Sequence, residues 1–285
     1  MARPVLIAGA GGMLGCALQT RCRERGIAFV APPEGTFDIT DQAGVALVVG
    51  EFATEHPDGV LINAAAYTNV ERAEDEPDVA RRVNEDGPRI LADAARVSGV
   101  GFAHVSTDFV FDGTKRGAYR ETDATNPLSV YGVTKLAGER AVAAADPGAL
   151  IVRTAWAFGP CGVNFPTKIL ERAGAARPLA VVCDESGSPT YTLDLAAGIL
   201  DLIDVGASGL FHLVGSGSCS RDEFAREVLR LAGVADVPVT PVPSSTFPSK
   251  ARRPANSVLD CAKAASLGVT IPDWHDALAR FLATR

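Results

Sequence analysis

Short β-branched runs alternate with longer amphipathic stretches through the first 154 residues, and this alternation limits the possible folds more than any other feature of the chain. Five runs have the composition of buried strands: PVLIAG, IAFVA, GVLINAAA, FAHVST and ALIVRT. Helical patterns fill the segments between them, at 13–25, 41–55, 79–98 and 129–145. Strands that alternate with helices form parallel βαβ units. We therefore expect an α/β fold built on a doubly wound parallel sheet.

The alternation loosens after residue 154, which indicates a smaller second lobe. We predict a dinucleotide-binding domain at 1–155, with return elements near 178–205, and a substrate-binding lobe at 156–177 and 206–285. The proline-rich segment VPVTPVPSSTFPSKARRPANS has too few apolar residues to make a core of its own. We expect it to lie on the surface as a loop that folds over a site.

Composition excludes several classes of partner. The net charge is −7 and the basic residues form no stripe, so binding to nucleic acid is not expected. No run reaches the eighteen or so apolar residues that a membrane span needs, and the N-terminal apolar run is too short for a signal peptide. The six cysteines lack Cys-x-x-Cys spacing, and no His/Cys cluster has the spacing of metal ligands. We expect a cytoplasmic protein without membrane contact or a metal site.

Three glycines follow the first predicted strand in the motif GAGGMLG. Gly9 would permit a tight turn, Gly12 would let the backbone approach a pyrophosphate, and Gly15 would let the next helix pack closely on the sheet. The N-terminus of that helix would offer free N–H groups to phosphate. A merely tight strand-to-helix turn is the alternative. The position in the first βαβ unit favours a dinucleotide site, with NADPH or NADH as the cofactor.

The ends of the second and third strands form the next part of this predicted site. Neither an acidic residue nor an arginine is cleanly placed after the second strand, so the sequence does not choose between NADH and NADPH, although NADPH is slightly favoured. Asp38 would lie near the adenine or would cap the next helix. In INAAAYT, the small residues Ala64 and Ala66 would let a cofactor lie flat, or would only pack a helix. Tyr67 is either a wall of the site or a core aromatic.

Tyr131 and Lys135 stand four residues apart, so on a helix they share one face. Two side chains on a solvated surface are the alternative. Thr107 and Asp108 end the fourth predicted strand at the edge where parallel sheets bind ligands. A tyrosine that transfers protons near neutral pH needs a cation nearby to lower its pKa, and Lys135 would supply it. The pattern favours reduction by a hydride from the cofactor and a proton from Tyr131.

Several blocks, taken together, resemble the dTDP-4-dehydrorhamnose reductases, which are extended short-chain dehydrogenase/reductases with a Rossmann fold. They are GAGGMLG, NAAAYT, VSTDFVFDG, YRETDATNPLSVYGVTKLAGE, RTAWAFG and RRPANSVLD, in order from about residue 5 to 260. The resemblance implies reduction of the 4-keto group of dTDP-4-dehydro-L-rhamnose. It implies Tyr131 as proton donor, Lys135 as its partner and Thr107 as the group that tunes it. It also implies that the cofactor site is lined by Gly12, Met13, Leu14, Asp38, Ile39, Ala66, Tyr67 and Thr68.

The resemblance also implies that Thr107, Asp108 and Trp156 contact the sugar. Trp156 would be a stacking platform or an ordinary core residue. Arg253 would meet the diphosphate or would be a solvated loop charge. Two departures from the family concern other positions: Phe109 stands where the family usually has Tyr, and Met13 where it often has Gln.

Two other functions agree with the same motifs. One is reduction of another dTDP-4-keto-6-deoxyhexose, for antibiotic or surface-glycan biosynthesis, with the same catalytic residues. The other is a non-catalytic, nucleotide-binding regulatory subunit, which would not need an intact set of Thr107, Tyr131 and Lys135. A homodimer, with Mg²⁺ at the subunit contact, is an assembly that the resemblance allows.

Overall fold

A six-stranded parallel sheet forms the centre of the computed structural model, which describes residues 2–33, 35–174 and 178–284. Its strands are β1 (Val5–Ala8), β2 (Phe29–Val30), β3 (Val60–Asn63), β4 (Gly101–Thr107), β5 (Leu150–Thr154) and a later strand, Gly209–His212. The later strand of the main sheet, Gly209–His212, is β10 in chain order. The strands outside the main sheet are β6 (Ala157–Phe158), β7 (Leu179–Val182), β8 (Ser186–Gly187), β9 (Thr190–Tyr191), β11 (Cys219–Ser220) and β12 (Val239–Val242). The order across the sheet is β10-β5-β4-β3-β1-β2. The predicted doubly wound parallel sheet is confirmed.

Helices connect the strands and cover both faces of the sheet. Those of the first 155 residues are α1 (Met13–Arg25), α2 (Gln42–Glu55), α3 (Val70–Ala73), α4 (Pro77–Arg81), α5 (Gly87–Ser98) and α6 (Val130–Ala145). Those that follow are α7 (Phe165–Ala173), α8 (Thr192–Asp204), α9 (Arg221–Leu231), α10 (Ala262–Ala265) and α11 (Trp274–Ala283). None of the helices in the described ranges combines the length and the apolar character needed to cross a bilayer.

Strand β1 shows why helices pack on both faces of the sheet. Side chains alternate along a strand, so Val5 and Ile7 point to one face and Leu6 and Ala8 to the other. The first face packs against α1 and α8, and the second against α2, α5 and α6. All four side chains are fully buried. Burial on both faces explains the continuous apolar runs in the sequence.

The smaller lobe consists of three two-stranded sheets and an aromatic core. The strand pairs are β6 with β9, β8 with β11, and β7 with β12. The largest side chains of its core are Phe158, Tyr191, Phe224, Trp274 and Phe281. Part of the proline-rich segment forms β12, which pairs in parallel with β7. This part is therefore a strand rather than the loop that its composition predicted.

Strand β10 lies in the main sheet, where it pairs in parallel with β5. The predicted division had put residues 206–285 entirely in the smaller lobe. The run GLFHLVG carries the apolar pattern of a buried strand, but its pairing partner is 55 or more residues earlier in the chain. Residues 175–177, next to the predicted boundary at 177, lie outside the described residues, as do the termini 1 and 285.

Candidate active site

A cavity of about 800 Å³ opens at the carboxyl ends of the central strands. The strand order reverses between β1 and β3, and such a reversal is where open α/β sheets bind ligands. Most of the residues that the sequence predicted for the site line this cavity: Gly9, Gly12, Met13, Leu14, Asp38, Ile39, Ala64, Ala66, Thr68, Thr107, Asp108, Tyr131, Lys135, Trp156 and Arg253. Gly15 and Tyr67 are the predicted residues that do not line it.

The glycine loop brings three backbone segments closer together than side chains would allow. A Cβ on Gly9, whose φ is +80°, would lie 2.5 Å from the backbone nitrogen of Ala65. A Cβ on Gly15 would lie 2.1 Å from the carbonyl oxygen of Gly9. Gly15 therefore packs helix α1 against the loop and does not face the cavity.

Helix α1 begins after Gly12 with no side-chain cap and with no acidic residue in its first turn. Its first N–H groups therefore face the cavity entrance without a protein anion beside them. Such an uncapped N-terminus of a 13-residue helix suits a phosphate group. The residues present thus fit the diphosphate of a dinucleotide.

Asp38 lines the cavity beyond strand β2, and its carboxylate is held in place by hydrogen bonds. Oδ1 accepts hydrogen bonds from the backbone N–H and the hydroxyl of Thr40, both at 2.8 Å. These bonds lower the pKa of Asp38. Asp41, not Asp38, caps helix α2 through the N–H of Ala43. The interpretation of Asp38 as a helix cap is therefore wrong.

Tyr67 points away from the cavity. Its hydroxyl donates to Glu76 at 2.8 Å, and its backbone N–H donates to the side-chain oxygen of Asn84 at 2.8 Å. Asn84 is fully buried in a π-helical turn, Arg82–Asp86, that interrupts the helix predicted at 79–98. A Cβ on Gly138 would lie 2.1 Å from the carbonyl oxygen of Asn84. This turn therefore anchors the segment after β3 to helix α6.

Helix α6 carries the predicted catalytic pair. Ser129 caps it by accepting from the N–H of Gly132 at 3.2 Å, so Tyr131 lies in the first turn and Lys135 one turn later. A Cβ on Gly132 would lie 2.3 Å from the carbonyl oxygen of Phe109, which shows how closely the helix start meets the end of β4. The sharing of one helix face was predicted from the spacing, and both residues line the cavity.

The pKa of Tyr131 differs from the expectation. Burial raises it to about 12, and the nearby carboxylate of Asp108 adds to the rise, while a hydrogen bond with the Thr107 hydroxyl opposes it. The lowering that we expected from Lys135 is not found. The reason is that protein atoms crowd the half-buried phenol, and a phenol partly removed from water resists ionisation.

Lys135 is 2% exposed, and burial lowers its pKa to about 8, while the carboxylate of Glu139 opposes this. Its Nζ donates to the carbonyl oxygen of Val105 at 2.7 Å and lies 3.5 Å from Nε2 of His104. His104 is fully buried, and its Nδ1 lies 3.1 Å from the side-chain nitrogen of Asn63. A line of buried polar groups thus joins the end of β3 to Lys135.

A buried ion pair supports the same helix from behind. Arg153 of β5 donates to both carboxylate oxygens of Glu139, at 2.8 and 2.7 Å. The hydroxyl of Ser106 donates to the same carboxylate at 2.5 Å. Nη1 of Arg153 lies 3.5 Å from Nε2 of His212, on the neighbouring strand β10. These contacts fix helix α6 against three strands of the sheet.

One part of the cavity lining brings together an acid, an indole and a guanidinium. Oδ1 of Asp108 accepts from the Thr107 hydroxyl at 2.9 Å, and Oδ2 is buried without a hydrogen-bond partner in the described parts of the chain. Trp156 has a positive φ of 44°. The guanidinium carbon of Arg221 lies 3.4 Å from the centre of the Trp156 ring and covers one face. Any sugar that stacks on Trp156 would therefore use the remaining ring surface or displace Arg221.

Arg253 lies at the rim of the cavity, where its charge is already paired. It donates to Glu71 at 2.6 Å and to the hydroxyl of Ser249 at 2.9 Å. A diphosphate would have to compete with Glu71 for this guanidinium. In the described portion of the chain, no group of three or more His, Cys, Asp or Glu residues is arranged to hold a metal ion.

Sequence reasoning missed four residues that support the site: Asn84, His104, Glu139 and Arg221. A weak signal existed for two of them, because His104 alternates with Ser106 on β4 and Glu139 follows Lys135 by one helical turn. Arg221 had no such signal. It comes from α9, and only the tertiary fold brings it to Trp156.

Similarity to known proteins identifies the family of this chain. The chain matches the family described as RmlD substrate binding domain over residues 2–285. A dTDP-4-dehydrorhamnose reductase of Mycolicibacterium smegmatis is 40% identical over 282 residues, which cover 98% of this chain and 84% of that protein. A dTDP-4-keto-6-deoxy-D-glucose reductase of Streptomyces niveus is 39% identical, over 96% of this chain and 95% of that protein.

A solved structure gives the same result for the fold. The dTDP-4-dehydrorhamnose reductase of Bacillus anthracis, in complex with NADP, is 34% identical and superposes with a TM-score of 0.94 over 100% of both chains. The resemblance inferred from the sequence motifs, and the expectation of an oxidoreductase, are thereby confirmed. The chain belongs to the RmlD substrate-binding domain family of dTDP-4-keto sugar reductases.

Proposed function

We propose that this protein reduces the 4-keto group of dTDP-4-dehydro-L-rhamnose to give dTDP-L-rhamnose, with NADPH or NADH as the reductant. One observation supports this above all: Thr107, Tyr131 and Lys135 share a single cavity with the uncapped start of helix α1. A dinucleotide with its phosphates at α1 would run along the ends of β1 and β3 toward Tyr131. The bound nicotinamide would supply a hydride to the sugar carbon.

The chain's own residues would supply the proton and the orientation. Tyr131 would give its phenolic proton to the oxygen of the former ketone, and the Thr107 hydroxyl, which donates to Asp108 in this structure, would turn its proton to that oxygen when the substrate binds. Lys135 would contact the ribose hydroxyls of the cofactor. Asp108, with a buried and unpartnered oxygen, would accept a hydrogen bond from a sugar hydroxyl. Arg221 and Trp156 would form the far wall of the sugar pocket.

The enclosure of Tyr131 supports its role as an acid. A phenol with a pKa raised to about 12 holds its proton at neutral pH until a negative charge develops on the substrate oxygen. The developing alkoxide would be the stronger base, so the proton would move to it as the hydride arrives. In this sequence of events Tyr131 does not need a lowered pKa before the substrate binds.

Reduction of another dTDP-4-keto-6-deoxyhexose is the second candidate. Phe109 lines the cavity next to Tyr131, and it replaces the hydroxyl of the family's usual Tyr with an apolar edge. The likeness to the reductase of Streptomyces niveus supports the same possibility. A silent regulatory subunit has less support, because such a protein has no use for a buried lysine one helical turn from a tyrosine in a cofactor-sized cavity.

The test is a substrate panel with the full chain. NADPH and NADH oxidation would be followed with dTDP-4-dehydro-L-rhamnose and with dTDP-4-keto-6-deoxy-D-glucose, and the configuration at C4 of the products would be read by NMR. We expect turnover of the first sugar to exceed turnover of the second. The reverse order would select the second candidate, and no turnover of either would contradict the proposed activity. A cytoplasmic location and a homodimer stay predictions, and nothing in the described residues supports an Mg²⁺ site.

A further inference from the structure

Three buried groups connect the cofactor-facing alanines to Lys135. The backbone N–H of Ala65 donates to Oδ1 of Asn63 at 3.0 Å. The side-chain nitrogen of Asn63 lies 3.1 Å from Nδ1 of His104, and Nε2 of His104 lies 3.5 Å from Nζ of Lys135. Asn63 and His104 are fully buried, so solvent does not complete their hydrogen bonds. The direction of each bond must therefore be set within the chain.

The fixed donor at Ala65 determines the direction of every following bond. A backbone N–H can only donate, so Asn63 must turn its oxygen toward Ala65 and its NH₂ group toward His104. The NH₂ group also can only donate, so Nδ1 of His104 must accept and carries no proton. Burial lowers the pKa of His104 well below its usual value, so the ring is neutral. Its single proton is then on Nε2, pointing at Lys135.

An ammonium and an amine respond differently to this ring N–H. A charged Lys135 has only N–H donors and no lone pair. Its ammonium group would therefore face the Nε2–H donor of His104 with another donor. A neutral amine can donate to the carbonyl oxygen of Val105 at 2.7 Å and accept from Nε2 of His104. Two other titratable groups lie near Lys135 on helix α6: Glu139, whose charge favours the charged form of the lysine, and Tyr131, which lines the same cavity one turn earlier.

We propose that Asn63 and His104 are positioning residues that control the protonation state of Lys135, by holding the imidazole in the tautomer that directs an N–H at Nζ. The inference deepens the proposed reductase function and rests on it for its consequence. Lys135 would exchange its proton near neutral pH, although its side chain is almost fully buried. The charge at the nicotinamide end of the site would then be set by a network within the sheet.

The first test reads the tautomer directly in the full-length wild-type protein. The chain has four histidines, so two-bond ¹⁵N–¹H spectra of ¹⁵N-histidine protein resolve each ring. His212 is an internal control, because its Nδ1 faces the carbonyl oxygen of Tyr119 at 3.1 Å and must carry the proton. We expect opposite patterns for the two buried rings, with His104 protonated on Nε2. An Nδ1–H or doubly protonated His104 at pH 7 would overturn the proposal.

The second test measures Lys135 itself. The chain has five lysines, so ¹³Cε shifts of labelled lysine give five titration curves, and Lys135→Arg identifies the relevant one. We expect the midpoint of Lys135 at about 8 or below. Asn63→Ala frees the ring of His104 to turn its lone pair toward Lys135, so the midpoint should rise by about one unit. Asn126→Ala, an exposed asparagine far from the network, should leave it unchanged.

The two tests separate this inference from the proposed function. Neither measurement uses a substrate, so a protein without reductase activity could still show the tautomer and the titration. An unshifted Lys135 midpoint in a folded Asn63→Ala protein would overturn the inference and leave the proposed function intact. If Asn63→Ala does not fold, the wild-type tautomer still decides. In an active variant, the pH limb of kcat should move with the Lys135 midpoint, while a merely structural defect would lower kcat equally at every pH.

Discussion

Phe109 packs edge-on against Tyr131, with the ring centroids 5.4 Å apart and the planes at 77°. This contact shields one side of the phenol with hydrocarbon and contributes to the burial that raises its pKa. The proposed proton donor thus has an aromatic ring on one side and the Thr107 and Asp108 side chains near its hydroxyl.

Replacement of the proposed acid should abolish most catalysis. Tyr131→Phe removes the proton and keeps the ring that packs on Phe109, so we expect kcat to fall by about 10²- to 10⁴-fold. The dissociation constant for NADPH, measured by fluorescence titration, should change little. Turnover equal to that of the wild type would contradict the assignment of Tyr131.

The buried ion pair behind helix α6 should dominate the local stability. Glu139→Gln leaves the charge of Arg153 buried and only partly compensated, so we expect a loss of about 3 to 5 kcal/mol in the free energy of unfolding. Glu227→Gln is the matched control, because its partner Arg230 is 62% exposed, and it should cost less than about 1 kcal/mol. Urea denaturation measures both. Equal losses would show that burial of the Glu139 pair is not what matters.

Gly187 sets the position of the indole in the sugar pocket. A Cβ at this residue would lie 2.3 Å from Cε2 of Trp156, so Gly187→Ala must displace the ring. We expect KM for the sugar nucleotide to rise by about tenfold or more, with NADPH binding unaffected. Gly50→Ala, in helix α2 with open space around it, is the control and should leave steady-state kinetics unchanged. A normal KM in Gly187→Ala would remove Trp156 from the pocket wall.

Stability should fall as the pH is lowered from about 6.5 to 4. Burial, together with the charge of Arg153, lowers the pKa of His212 to about 4, so between these values the unfolded chain binds a proton that the folded chain does not. The free energy of unfolding therefore rises with pH across this window, by about 3 kcal/mol from His212 alone. His212→Gln should flatten the dependence, as measured by thermal unfolding at several pH values. A wild-type stability that is constant from pH 6.5 to 4 would refute this.

The two nicotinamide cofactors should be used with similar efficiency. Asp38 lines the cavity beyond β2, and Arg82, whose charge helps to lower the pKa of Asp38, does not line the cavity beside it. An ion pair with the 2′-phosphate of NADPH would be worth about 1.5 to 3 kcal/mol, and without it we expect a preference below about tenfold in kcat/KM. Steady-state kinetics with NADH and NADPH check this. A hundredfold preference for NADPH would mean that a cation reaches the phosphate on binding.

The sequence predicted the parts of the fold that rest on local periodicity. Helix α1 begins and ends at the predicted residues 13 and 25, and helix α6 begins one residue after its predicted start at 129, because Ser129 caps it. The interruption of the helix predicted at 79–98 was not visible, because Asn84 satisfies distant backbone groups that no local pattern reveals. The glycine loop and the Tyr131–Lys135 pair could be predicted because the spacing of their residues along the chain is itself typical of the function.

The part of the site that the sequence did not predict depends on contacts between residues far apart in the chain. Arg221 meets Trp156 through a fold that joins α9 to the end of β5, and nothing near either residue in the sequence indicates the other. The pKa of Tyr131 was misjudged for a related reason. Spacing reveals the lysine one turn away, but the enclosure that outweighs it is a property of the packed protein.

Strand β10 returns to the edge of the main sheet, so no single cut in the polypeptide separates the two lobes. The polypeptide leaves the sheet after β5, builds part of the smaller lobe, and comes back to add a final strand before leaving again. A fragment that stopped at residue 155 would expose the hydrogen-bonding edge of β5 and uncover the face where α8 packs on α1. Such a fragment would aggregate rather than fold, so cofactor-binding studies require the intact chain.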